Sequence, residues 1–265
     1  MTREAPELPE AARPAWPAWN APVARLSSFV LILASAVPLL PAVLLLGFSE
    51  TVAALALLVL LLVQDGALVA AALVFANLRL APRLWHFGIR ATRLWPTLGW
   101  AALGFAVMLG FELGYIELLG VDETNLDDLG EGSVAAASLV ALAVIVVAPL
   151  AEEFFFRGFF YRALRTRMGV WAAAPIDGLV FGALHFQGVG TAVILPVIAV
   201  FGVGQCLVYE RTGSLFAVIA IHAAFNTVAM MAIEPLPAIV VGSLVIAACL
   251  AVPRVVGPNP SPLPA

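Results

Sequence analysis

The sequence predicts an all-α, polytopic transmembrane helical bundle of about eight spans, with both termini on the cytoplasmic side and a polar cavity inside the membrane. Three observations predict it. Hydrophobic residues make up 63% of the 265 positions and charged residues only 11%, with a mean hydropathy of +1.04; a soluble domain is about half apolar and a quarter charged. The charges that do occur alternate in sign from one predicted loop to the next. Most of the ionisable groups left inside apolar segments gather in the second half of the chain.

About 20 apolar residues cross a bilayer, and that ruler sets the elements. Residues 1–25, rich in Pro and Ala and without apolar periodicity, read as a disordered cytoplasmic arm, with Trp16 and Trp19 at the membrane interface. Spans are expected over 26–48, 51–78 and 95–119, followed by an acidic extracytoplasmic connection, so that 26–133 forms one unit. A core over 134–233 holds the next four spans, 134–155, 171–186, 191–209 and 214–232, the first continuing as a helix past Arg157 toward Arg167. The last span, 236–253, lies in 234–256, and the Pro-rich stretch 257–265 reads as a disordered tail.

The arginines fit this order. Arg3, Arg13 and Arg25 precede the first span; Arg79, Arg83, Arg90 and Arg93 separate the second from the third. Arg162, Arg165 and Arg167 follow the fourth, Arg211 the sixth and Arg254 the eighth. Three of the four intervening connections carry acids and no base: Glu50, then Asp122, Glu123, Asp127, Asp128 and Glu131, then Glu234; the short one between the fifth and sixth spans is uncharged. By the positive-inside rule every second connection is cytoplasmic. Cys206 and Cys249 lie in apolar segments without Cys or His spacing, so neither a disulfide framework nor a cysteine zinc site is expected. Gly110–Gly114 and Gly178–Gly182 have the four-residue spacing of close helix packing.

Removing the loops leaves Asp65, Glu112, Glu152, Glu153, Arg157, Asp177, His185 and His222 in apolar segments. A charge at the bilayer centre costs about 2.5–3.5 kcal/mol even on the lenient insertion scale, so each needs a reason. Glu152 and Glu153 are neighbours, about 100° apart on a helix. Glu153 and Arg157 are four apart with the acid first, the favourable order for an ion pair. Glu153 is therefore expected to be held by Arg157 while Glu152 faces the cavity, where a carboxylate can serve as a general base. Phe181 shares a face with His185. His222 and Asn226, also four apart, offer two donors at one point, as an oxyanion site requires. Each motif alone is equally accounted for by a buried ion-pair clamp or by polar groups joining helices. Asp65 and Glu112, lacking a clustered partner, read as helix packing or a water-filled vestibule.

The three motifs together, Glu152-Glu153-Phe154-Phe155-Phe156-Arg157, Phe181-Gly182-Ala183-Leu184-His185 and His222-Ala223-Ala224-Phe225-Asn226, resemble in order the CPBP (Abi) family of intramembrane proteases. That family includes the type II CAAX prenyl endopeptidases and bacteriocin-processing or immunity proteins. The resemblance covers about 134–233. It implies a helical bundle whose cavity hydrolyses peptide bonds, with Glu152 and His185 activating a water, and with His222 and Asn226 stabilising the oxyanion. Glu153, Arg157 and Phe181 would support them. No cofactor is favoured. A zinc ion is the alternative, and Glu152, His185 and His222 would then be its ligands.

The expected protein is thus an endopeptidase acting on membrane-associated proteins or peptides; the alternative is a non-catalytic membrane module, an immunity or partner-stabilising protein, using the same polar cluster structurally. Its expected partners are the lipid bilayer and a membrane protein or peptide substrate, with no nucleic acid; oligomeric state has no signal in the sequence. All 13 basic residues are Arg, a bias that points to a GC-rich bacterial genome and so to a multi-pass protein of the bacterial plasma membrane. One tension is built into these spans. His185 falls near the outer end of the fifth while Glu152 and His222 fall nearer mid-membrane, so the fifth helix is expected to shift, to tilt or to end inside the bundle.

Overall fold

The computed structural model describes residues 16–36, 50–78, 81–120, 134–186 and 188–256. The expected tail, the acidic connection over 121–133, Arg79 and the first 15 residues of the arm lie outside them. Among the described residues there are eight helices and no strand, one helix for each predicted span. They are α1 (Asn20–Ala36), α2 (Glu50–Asn77), α3 (Leu94–Leu119), α4 (a continuous stack from Val134–Leu142 to Tyr161–Arg165), α5 (Val170–Ala183), α6 (Leu195–Thr212), α7 (Leu215–Met231) and α8 (Pro235–Ala251).

The helices are unequal. Four described stretches are long and apolar enough to cross a membrane: Leu58–Asn77, Leu94–Leu119, Ser138–Arg165 and Pro235–Arg254. Asn20–Ser35, Val170–Ala183 and Leu215–Met231 are apolar but shorter. At 1.5 Å per residue the 14 residues of α5 rise about 21 Å, well under the roughly 30 Å of hydrocarbon. Large apolar side chains such as Leu26, Val74, Trp95 and Leu118 cover the outside, as in a protein whose surroundings are lipid.

The arm ends earlier than the composition suggested. Helix α1 starts at Asn20, not near Leu26, and Trp16 is 1% exposed, packed on Phe87 and Phe159 at ring separations of 5.0 and 5.2 Å. Asn20, also buried, donates to the Phe75 carbonyl of α2 at 3.1 Å. The alanines that made this region look featureless are what let α1 lie against α2, with Ala21, Ala24, Ala72 and Ala76 all fully buried. Beneath them the 2–3 connection folds inward. Tyr209 donates to the Phe87 carbonyl at 2.9 Å, Arg162 to that of His86, and Leu215 N–H to that of Gly88 at 2.9 Å. Gly88 has φ +87°, the left-handed region that a side chain disfavours. Burial, with Arg162 and Arg83 adding to it, holds the His86 imidazole below its ordinary pKa.

Helix α4 is not regular. It winds as a π-helix over Ala143–Val147 and again over Phe154–Phe160, on either side of Ala148–Glu153. Such turns are rare and occur often at functional sites. The first has a local cause. The Ala148 N–H bonds the Ala143 carbonyl, and Pro149 has no N–H to offer, so the Val144 carbonyl has no donor within its own helix.

Of the two glycine pairs, one packs and one does not. A Cβ on Gly178 would lie 2.6 Å from the Ala199 carbonyl oxygen and 2.7 Å from the Val203 nitrogen, and one on Gly182 2.9 Å from the Ala199 nitrogen. Helices α5 and α6 therefore meet backbone to backbone. Among the described residues nothing lies within 4 Å of a Cβ built on Gly110 or Gly114, so the packing expected there is not made by them. The contrast yields a matched test. Gly178→Ala should lower thermal stability in detergent by about 1–3 kcal/mol, because two helix backbones must separate. Gly110→Ala should leave it unchanged or raise it by up to about 1 kcal/mol from helix propensity. Equal melting temperatures for the two variants would contradict this packing.

Candidate active site

The polar groups converge on Glu153. It is fully buried, and its Oε1 accepts from Arg157 Nη1 at 3.0 Å, from Gln205 Nε2 at 3.3 Å and from His222 Nδ1 at 2.8 Å. Three helices, α4, α6 and α7, are thereby tied to one oxygen. Arg157, also fully buried, donates through Nη2 to the Gly202 carbonyl at 2.9 Å and has Nε 3.7 Å from Asp177 Oδ1 on α5. That same Asp177 oxygen accepts from Cys206 Sγ at 3.1 Å. The ion pair anticipated from the four-residue spacing is thus part of a larger network. Removing any one member would strand buried charge.

Gln205 is not ionisable and so is not among the residues that mark the site in the sequence. It is fully buried and reaches both Glu153 and the Val218 carbonyl, the latter at 2.9 Å. Its signal was there: a lone amide in the apolar run Val203-Gly204-Gln205-Cys206-Leu207. Asp177, one of the ionisable groups left in an apolar segment, lies inside the network.

Glu152 stands apart. It is 8% exposed, and its nearest charged contact is His222, with Nε2 3.9 Å from Oε2. That separation is too long for a direct hydrogen bond and suits a water touching both atoms. A carboxylate paired with Arg157 can only accept, so His222 carries its proton on Nδ1 toward Glu153 and turns Nε2 toward Glu152.

Helix α5 stops at Ala183, three residues short of the predicted end of its span, and His185 follows in a turn. Its N–H bonds the Gly182 carbonyl at 3.0 Å while its Nδ1 meets the Phe181 carbonyl at 2.8 Å. The ring therefore caps a carbonyl orphaned by the helix end. A carbonyl only accepts, so Nδ1 bears the proton and Nε2 keeps its lone pair. Phe181 joins the parts: its ring is 4.7 Å from that of His185 and 5.9 Å from that of His222, and the Arg157 guanidinium stacks on it at 4.6 Å. Among the described residues no hydrogen bond links His185 to Glu152.

Asn226 has a partner the sequence did not foretell. Its Nδ2 donates at 2.7 Å to the Val144 carbonyl, the one left without a helical donor before Pro149. One amide hydrogen is so committed; the other is free to serve a ligand. Should a zinc ion be sought, Glu152, His185 and His222 do not supply its cage. No group of three His, Cys, Asp or Glu among the described residues is spaced to hold a metal, and the residues as placed do not fit one.

The stretch that carries all these motifs, residues 134–228, matches the model of the family described as type II CAAX prenyl endopeptidase Rce1-like. This segment is Rce1-like. The match runs from the start of α4 into α7, ending just past Asn226. The matched family is a protease family, and the match lies on a chain with four helices long and apolar enough to cross a membrane. No curated protein and no solved structure matches the chain.

Proposed function

We propose that the protein is an intramembrane endopeptidase that hydrolyses membrane-associated proteins or peptides with a water activated by Glu152 and His185. The observation that carries the reading is the difference between the two adjacent acids. Glu153 is saturated on one oxygen by Arg157, Gln205 and His222, whereas Glu152 makes no direct hydrogen bond among the described residues and faces the imidazole of His222 across 3.9 Å. A buried network that served only to hold helices together would have no use for the second acid. Glu152 takes the proton of the attacking water, and the Nε2 lone pair of His185 orients it. His222 and the free amide hydrogen of Asn226 stabilise the tetrahedral oxyanion. Donation from His222 Nε2, with Nδ1–H on Glu153, calls for the doubly protonated ring, whose charge the two flanking carboxylates balance. Glu153, Arg157 and Phe181 hold these groups in place. No step passes through a metal ion.

The reading is tested in cells that produce either wild type or His185→Ala, in the bacterial plasma membrane where the protein is proposed to reside. Peptides released from membrane proteins should be present with the wild type and reduced at least a hundredfold with the variant, at equal protein level. Identical peptide profiles would favour the non-catalytic module, in which the cluster serves stability alone.

A further inference from the structure

A cavity of about 640 Å³ lies beside this site, between α2, α4 and the start of α7. Its walls are apolar: Leu62, Val69, Leu73, Leu150, Phe154 and Ile219 among others. It abuts the site, because Ala151 lines it immediately before Glu152 and Ile219 three residues before His222. Leu62, Leu73 and Leu150 are each more than 40% exposed, so the cavity opens on the apolar outer surface of the bundle.

One wall residue does not belong in such a place. Asp65 is 2% exposed and lines the cavity, and among the described residues neither carboxylate oxygen accepts a hydrogen bond of good geometry, the adjacent Gln64 amide being a weak polar neighbour. It lies on the cavity stripe of α2, in step with Leu62, Val69 and Leu73. Gln64 is beside it, and the charges that act on it are those of Glu152 and His222. Among the described residues no arginine is paired with it in an ion pair. A buried carboxylate left unpaired is costly. The group missing from Asp65 is a cation with an apolar stem, which could lie along leucine and valine walls and end on a carboxylate.

We propose that this cavity receives a substrate residue flanking the cleaved bond, and that Asp65 selects an arginine or lysine side chain there. The proposal rests on the proteolytic reading for the identity of the ligand, and the opening toward lipid gives a membrane-bound peptide its way in. Asp65 is thus a substrate-binding residue contributed by α2, outside the Rce1-like segment 134–228.

Two measurements separate this from the hydrolysis itself. In detergent micelles, binding of labelled apolar peptides of equal length, differing only in a central Arg, Gln or Glu, is measured on full-length Glu152→Gln protein. The Arg peptide should bind about tenfold tighter than the Gln peptide and tighter still than the Glu peptide. Adding Asp65→Asn should bring the Arg-to-Gln ratio close to one. The same ratio should appear in the kcat/KM of protein with both acids present. Equal binding of the three peptides while Asp65 is present overturns the proposal, even if Asp65→Asn fails to fold. An Arg preference that survives Asp65→Asn overturns it as well. Asp65-dependent binding without cleavage of any peptide would remove the hydrolysis and leave the cation site standing.

Discussion

Glu152→Gln should lower the rate of peptide cleavage by about 10²–10⁴-fold, the usual contribution of a positioned general base, while the melting temperature in detergent stays within a few degrees of wild type. The two halves of that expectation have different origins. The rate falls because an amide cannot take a proton from water. Stability holds because Glu152 makes no direct hydrogen bond, its contact with His222 being 3.9 Å. The measurement is cleavage of a panel of quenched-fluorescent apolar peptides by purified protein in proteoliposomes, alongside thermal unfolding of the same preparations. Glu153→Gln is the informative control. It disturbs a fully buried oxygen that holds three donors, so it should lose stability as well as activity. If Glu152→Gln cleaved at a rate within a few-fold of wild type, the proposed role of this acid would be wrong.

Arg157→Met should destabilise the protein by about 3–5 kcal/mol, the cost of breaking a buried ion pair by removing one partner. Arg157 is fully buried and stands between Glu153 and Asp177, both also fully buried. It also binds the Gly202 carbonyl and stacks on Phe181. Methionine keeps much of the volume and none of the charge, leaving two carboxyl groups in an apolar core. The expected result is a large drop in melting temperature, or protein that does not accumulate in the membrane. The triple variant Arg157→Met with Glu153→Met and Asp177→Leu should recover most of the loss, since replacing a whole buried ionic cluster with apolar groups is often neutral or stabilising. That recovered protein should be inactive, because His222 would have lost the carboxylate that fixes its ring. A single Arg157→Met variant as stable as wild type would show that the network carries no such energy.

Much of this was legible in the chain. Apolar runs gave the number and approximate place of the described helices, though α1 begins six residues before its run, because a membrane-embedded backbone has to satisfy its own hydrogen bonds and helices do so within one segment. The four-residue spacing of Glu153 and Arg157 gave their pair, since it puts both on one helix face. The cluster of motifs marked out the same stretch that matches the Rce1-like family, 134–228.

Other features could be decided only by helices meeting. That α5 ends at Ala183, with the His185 ring on the Phe181 carbonyl, is not written in the apolar run, which continues to Phe186. Gly110 and Gly178 have the same local pattern, but only the second faces a neighbouring backbone. Gln205 and Asn226 found their partners on α4, at Glu153 and Val144, across distances in sequence that no local spacing reveals. Asp65 read as a lone acid until the cavity around it was seen. The sequence by itself determined which segments are helices and which charges are costly enough to need a reason, because both follow from local composition and the price of charge in lipid. The spacing also marked Glu153 as the held acid; only the tertiary structure decided what else holds it, because Gln205 and His222 reach the same oxygen from two other helices.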